Sequence, residues 1–239
     1  MKKIILLTFA ILFVSVISKA QMVNFSNTET FHDSDFLLTL TPSSADCHII
    51  YTLNGSRPTL QNATLYTEPI HITTTTPVSA ACVDAQDSIC TIYVHTYIFL
   101  QDVYHQSATP AGYPGNWSRK DSKSYYQADY AMDTNVTQSA EYKELMDSAM
   151  MSLPTICITT DIDNLFSQSD DPDKGGIYVH TGKDATKLGD GWERPASIEI
   201  YNPETGKYIQ ENCGLLLHGG NSRNPVSYTH LTLPTSLRV

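Results

Sequence analysis

CHIIYTLNGSRPT, residues 47–59, decides the fold of the first half of this chain. Its first seven residues are rich in β-branched and aromatic side chains, and Asn54-Gly55 then supplies the strongest short-range signal for a tight turn between strands. Working outward, FLLTL (36–40), PIHI (69–72), VSAACV (78–83) and ICTIYVHTYIF (89–99) are runs of the same kind. Turn clusters TPSS (41–44) and DAQD (84–87) punctuate them, and no helical period interrupts the series. Residues 22–99 therefore read as a small β-sandwich of immunoglobulin or fibronectin type.

The chain ahead of this block reads as a processing signal. Lys2 and Lys3 form a basic start, residues 4–17 are almost wholly apolar, and Ser18-Lys19-Ala20 offers small residues at the cleavage positions before Gln21. The expectation is a signal peptide over 1–20 and an exported bacterial protein, periplasmic, surface-bound or secreted, with no membrane span once the signal is cleaved. Gln21 stands where a lipoprotein would carry Cys, which argues against a lipid anchor. The net charge of −10 gives a surface that repels nucleic acid and anionic lipid, and there is no basic stripe to override it.

Five cysteines in an exported chain make disulfides possible. Cys82 and Cys90 are the best pair if residues 78, 80 and 82 share a hairpin face with 90, 92 and 94, because the register joining 82 to 90 also joins 80 to 92. Two small buried hydrophobes are an equally good account of them. Cys47, Cys157 and Cys213 sit in apolar runs and read as core, and no Cys/His spacing suits zinc.

Beyond residue 100 the composition changes. Residues 100–137 include TPAGYPGNW (109–117) and read as a connector, and 138–225 as a second domain. There, Ser139 is placed to cap a helix over 140–152 with an apolar stripe of Tyr142, Leu145, Met146, Ala149 and Met150, stopped by Pro154. TICITT (155–160), GIYVH (176–180), ASIEI (196–200) and CGLLLH (213–218) follow as short strands. A helix with mixed strands means α+β.

Two resemblances rest on these residues. YTLNGSRPT (51–59), LYTEPI (65–70) and the lead into the strand at 78 resemble the chitobiase/β-hexosaminidase C-terminal type of sandwich, also described as glycoside hydrolase family 29 D-like, with Asn54 where that family usually has Asp. The resemblance implies an accessory spacer or binding module. The second is an ordered series over residues 101–223: PAGYP with Trp117, YAMD (130–133), LPTICITTDIDNLF (153–166), GGIYVH (175–180), GWERPASIEI (191–200) and CGLLLHGGNSR (213–223). It resembles the N-terminal part of the CotH (spore-coat protein H) kinase family. That likeness implies a truncated α+β domain at the start of an atypical protein-kinase fold. The complete enzyme would use ATP and a divalent cation to phosphorylate secreted or surface proteins. The carboxylates and Asn that hold metal in that family have no match in this series, so the fragment is expected to be inactive.

Within the series, HGGNSR carries the phosphate chemistry: Gly219 and Gly220 allow a backbone anion nest, and Ser222 and Arg223 become candidate lining residues of a nucleotide cleft. The plainer reading is a turn after a strand, since GxxxxGK[ST] is missing. A lipase reading fails because GxSxG is broken at Ser222-Arg223-Asn224. The acids at 161–173 do not fit a calcium loop, so Asp163 is expected to cap a helical turn and 170–173 to form a solvated loop. Trp192 reads as core filler beside a Glu193–Arg194 surface pair. Tyr113, Trp117, Tyr125 and Tyr126 admit an alternative: a surface adhesin or carbohydrate-binding protein that stacks glycans. Finally, VSYTHL (226–231) is the translation of GTC TCT TAT ACA CAT CT, which resembles a transposase adaptor, so residues 226–239 are expected to be non-native.

Overall fold

The computed structural model describes residues 22–117, 127–171, 173–180 and 192–217. The first of these segments builds eight strands: β1 (Val23–Phe25), β2 (Phe36–Leu38), β3 (Leu40–Pro42), β4 (His48–Thr52), β5 (Thr64–Leu65), β6 (Ile70–Ile72), β7 (Thr76–Val83) and β8 (Ile89–Tyr97). Four of them form an antiparallel sheet in the order β5-β4-β7-β8, and two short ladders, β1-β3 and β2-β6, cover one face. Val23, Leu38, Leu40, Ile49, Ile70, Ile72, Val78, Ala80 and Tyr97 meet in the core between these layers. This is the expected β-sandwich. Residues 36–40 do not form one strand, because the chain changes partners at Thr39: Leu38 pairs with Ile70 and Leu40 with Phe25. Asn54 Oδ1 accepts from Ser56 N and Ser56 Oγ, and Gly55 takes φ +81°, the left-handed region the turn demands.

The second half is a three-stranded antiparallel sheet, β11-β10-β9, made of β9 (Thr155–Thr159), β10 (Arg194–Asn202) and β11 (Lys207–Leu215). Asn202 Oδ1 accepts from the N–H groups of Glu204 and Thr205, and Gly206 at φ +65° closes the β10–β11 hairpin. The described residues add five short helices: α1 (Leu100–Tyr104), α2 (Thr134–Thr137), α3 (Met146–Met150), α4 (Ile162–Phe166) and α5 (Ile177–His180). Ile177, Ala196, Leu215 and Leu217 form a small core there.

Three expectations are corrected. The helix over 140–152 shrinks to a 3-10 turn at Lys143–Leu145 and the single turn of α3, because only Met146 of the proposed stripe is buried while Tyr142 and Leu145 stay exposed. A helix this short has little intrinsic stability without packing. GIYVH is helical, not extended. Gly176 permits this by letting its backbone lie against Leu165, where an added Cβ would sit 2.4 Å from a carbonyl oxygen. Asp163 does not cap α4; Asp161 holds the N-cap position, and neither side chain makes a capping bond. Among the described residues no helix is long and apolar enough to cross a membrane.

Candidate functional site

The least ordinary chemistry in the molecule lies where the two halves meet. β8 is the edge of the sandwich sheet, and its residues 92, 94 and 96 turn their backbone groups away from β7. An open edge is a template for unwanted pairing. Side chains of the second sheet close it. Asn212 donates to Ile92 O at 2.8 Å, Tyr208 Oη lies 3.2 Å from Val94 O, and Glu199 Oε1 accepts from Thr96 N at 2.8 Å. Thr96 Oγ1 donates to Glu199 Oε2, and Tyr208 donates to Glu199 Oε1 at 2.8 Å. One step further along, Ile98 N bonds Thr30 O and His32 N bonds Ile98 O, so the rim stays occupied.

His95 joins this network from the other face of β8. Its Nε2–H donates to Glu29 O at 3.1 Å, while Nδ1 lies 3.0 Å from Tyr208 Oη and 3.7 Å from Glu199 Oε1. Burial holds the imidazole below its ordinary value, against the opposing pull of the Glu29 carbonyl and the Glu199 carboxylate. Burial and the adjoining Glu199 push the Tyr208 phenol well above its usual range, and the Cys157 thiol, in β9 opposite Glu199, up to about 12. None of these groups is an accessible nucleophile, and the arrangement is a polar lock. Beside it lies a cavity of about 10 Å³, lined by Gly55, Arg57, Ser79, Thr159, Ser197 and Asn212 among others, with room for about one water. The Asn54-Gly55 turn belongs to the same junction: a Cβ on Gly55 would stand 3.2 Å from Thr160 O, and burial raises the half-buried Asp161 carboxyl against the opposing pull of the Arg57 backbone N–H and guanidinium.

A second cluster gathers the motifs of the longer resemblance. Trp117 Nε1 donates to Tyr130 Oη at 2.9 Å, and Tyr130 Oη donates to Pro114 O at 3.0 Å. Tyr178 lies with its ring 6.0 Å from Trp117 and 5.7 Å from Phe166. Arg194 is buried, not half of a surface pair with Glu193; its Nη2 donates to Gly175 O at 2.7 Å and its guanidinium lies 5.6 Å from the Trp192 ring. Trp192 packs on the small core, as expected of it. Trp117 is engaged inward, which leaves Tyr113, 51% exposed, as the aromatic of the proposed glycan platform that faces solvent among the described residues; Tyr125 and Tyr126 lie outside them.

Of the site residues read from sequence, Ser222 and Arg223 also lie outside the described residues. Cys82 and Cys90 are thiols, as are the other three cysteines. The register expected to join Cys82 to Cys90 is replaced by one that pairs Ala80 with Tyr93 and Ala81 with Ile92, then slips before Val83 meets Ile89. That bulge sets both Cys90 and Thr91 against Cys82. Asp171 Oδ1 accepts from Asp173 N at 3.0 Å, and Asp170 and Asp173 are exposed. Among the described residues no three His, Cys, Asp or Glu side chains converge to hold a metal. Sequence reasoning missed Glu199, His95 and Tyr208, and nothing in their local pattern marks them.

Residues 27–91 match the family described as the chitobiase/beta-hexosaminidase C-terminal domain. The match runs from the loop after β1 into the start of β8 and stops just short of 92–96, the residues that lock onto the second sheet. No curated protein and no solved structure matches the chain.

Proposed function

We propose that this chain is the N-terminal part of an exported CotH-like protein kinase, with a chitobiase-type sandwich fixed ahead of the kinase region. The observation that carries the reading is the cluster at Trp117. PAGYP, Trp117, YAMD, DIDNLF, GGIYVH and WERP are spread over residues 110–195, yet Pro114, Trp117, Tyr130, Phe166 and Tyr178 form one connected set of contacts, and Arg194 of WERP bonds Gly175 of GGIYVH. Motifs chosen only for their order in the sequence thus support one another in space. In this reading the sandwich is a rigid forward module, and Ser222 and Arg223 line the entrance to the nucleotide cleft of the complete enzyme.

ATP would supply the transferable γ-phosphoryl group and a divalent cation would neutralise its charge. The described residues offer no donor set for that cation, so no step of the transfer is assigned to them. Substrates would be secreted or surface proteins. Calorimetric titration, with ATP and Mg²⁺, of a full-length homologous protein tests the cleft. Arg223→Ala should weaken binding by roughly tenfold, the value of one charge-assisted contact. Equal affinity in the two proteins, or no binding to either, would sink the reading.

A further inference from the structure

Three of the five cysteines gather at one rim of the sandwich, and the kinase reading makes no use of them. Cys82 is fully buried in β7 at the point where the register with β8 slips. On its other side Ile49 of β4 is its partner, and Cys47, two residues before Ile49, packs against the core cluster to which Cys82 and Ile49 belong. Cys47 and Cys90 both pack against the core cluster that holds Cys82, and Cys47 acts on the Cys82 thiol more strongly than Cys90 does. Each also donates to a backbone carbonyl at this rim, Cys47 Sγ to Ser44 O at 3.2 Å and Cys82 Sγ to Met22 O at 3.4 Å. Cys47 lies in the loop before β4 and is half-buried, within reach of a small reagent; Cys82 is sealed beneath it. The cluster is not a metal donor set.

We propose that Cys47 and Cys82 form an intramolecular disulfide by exchange with a small-molecule disulfide, tying the start of β4 to β7. The Cys47 thiolate attacks one sulfur of the reagent, here oxidised glutathione, forming a mixed disulfide and expelling one glutathione thiolate. The Cys82 sulfur then attacks Cys47 Sγ and releases the second glutathione. Two electrons pass from the protein thiols to the reagent, and their two protons end on the two glutathione thiols. The second step limits the rate near neutral pH, because burial and the contact with Cys47 push the Cys82 thiol up to about 12 and only the thiolate attacks. The bond would raise the melting temperature of the sandwich by several degrees, since it closes a long loop in the unfolded chain.

The test is peptide mapping by mass spectrometry, without reductant, of the purified chain after incubation with oxidised glutathione between pH 7 and 9. The expected product joins the Cys47 and Cys82 peptides with loss of two hydrogens, and it forms about tenfold faster for each pH unit gained. Because Cys82→Ser would bury a hydroxyl, the discriminating variants are Cys47→Ser, which should abolish the link, and Cys90→Ser, which should leave it intact. Cys82 joined to Cys90 instead, or Cys47 halted as a glutathione adduct above reduced Cys82 at pH 9, would overturn the proposal. Both outcomes are independent of whether the chain binds ATP.

Discussion

The two larger β-sheets among the described residues meet the same physical demand in opposite ways. The sandwich sheet is covered on one side by its own ladders and buries Leu38, Ile72 and Val78 almost completely. The β9–β10–β11 sheet has a face of its own to cover and does so only at one end, where α5 packs on Ala196 and Leu215. At the other end of that face Ile156, Ile158 and Ile209 stand 59%, 39% and 55% exposed. Its opposite face, carrying Cys157, Ser197, Glu199 and Tyr208, turns toward the sandwich and is polar, with Ser197 and Glu199 buried and Tyr208 partly exposed. One sheet is stabilised by apolar burial within itself, and the other by hydrogen bonds to a neighbour. The location of a hydrophobic side chain therefore does not tell by itself which contacts hold a layer in place.

Substitutions can break that contrast. Ile72→Ala, at a site 1% exposed, should cost about 4 kcal/mol in urea unfolding, within the range for deleting a buried aliphatic side chain. A loss below 1 kcal/mol would mean that the sandwich core is not what supports this half. Glu199→Ala should cost about 3 kcal/mol, because Thr96 N–H, Thr96 Oγ1 and Tyr208 Oη lose a buried acceptor together. Its signature should be separate melting of the two halves by calorimetry; one cooperative transition at unchanged temperature would contradict the lock.

A smaller effect should come from acid. The His95 imidazole is held below 6.5 in the folded protein by burial, so its neutral form is the one that fits beside Glu29 O, Tyr208, Glu199 and the nearby His32. Its contribution is fully present above the unfolded value and is lost as pH falls through the lower folded value. Thermal melting scanned from pH 8 to pH 5 should show stability declining below about pH 6.5, and His95→Gln should flatten that decline. An identical pH profile in the variant would remove His95 from the account. Smallest of all, Ile156→Ala on the exposed end of the second sheet should change stability by no more than about 0.5 kcal/mol. A loss of 2 kcal/mol or more would reveal that this face is covered in solution.

The same contrast governs what the sequence made legible. β4, β7 and β8 lie in apolar runs rich in β-branched, aromatic or small residues and bounded by turn residues, and their positions follow from that composition. β1 and β5, at three and two residues, are too short to carry a period. GIYVH shows the limit for buried runs: five apolar-rich residues suit a strand or a helical turn alike, and the close approach of Gly176 to Leu165 decides for the helix. The junction was the least legible part. Alternation in ASIEI says that Glu199 faces away from Ile198, but only the arrival of an open β8 edge on that side turns it inward.

That closure of β8 has a temporal side. The groups that cover Thr96, Val94 and Ile92 follow them by 103, 114 and 120 residues in the chain. A polypeptide made from its N-terminus completes the sandwich early and then holds a bare rim of N–H and C=O groups until β10 and β11 have been synthesised. During that interval the rim is an open edge, available for pairing with another extended segment. The closure of this edge is thus a long-range event, made only after residues 199–212 have joined the chain.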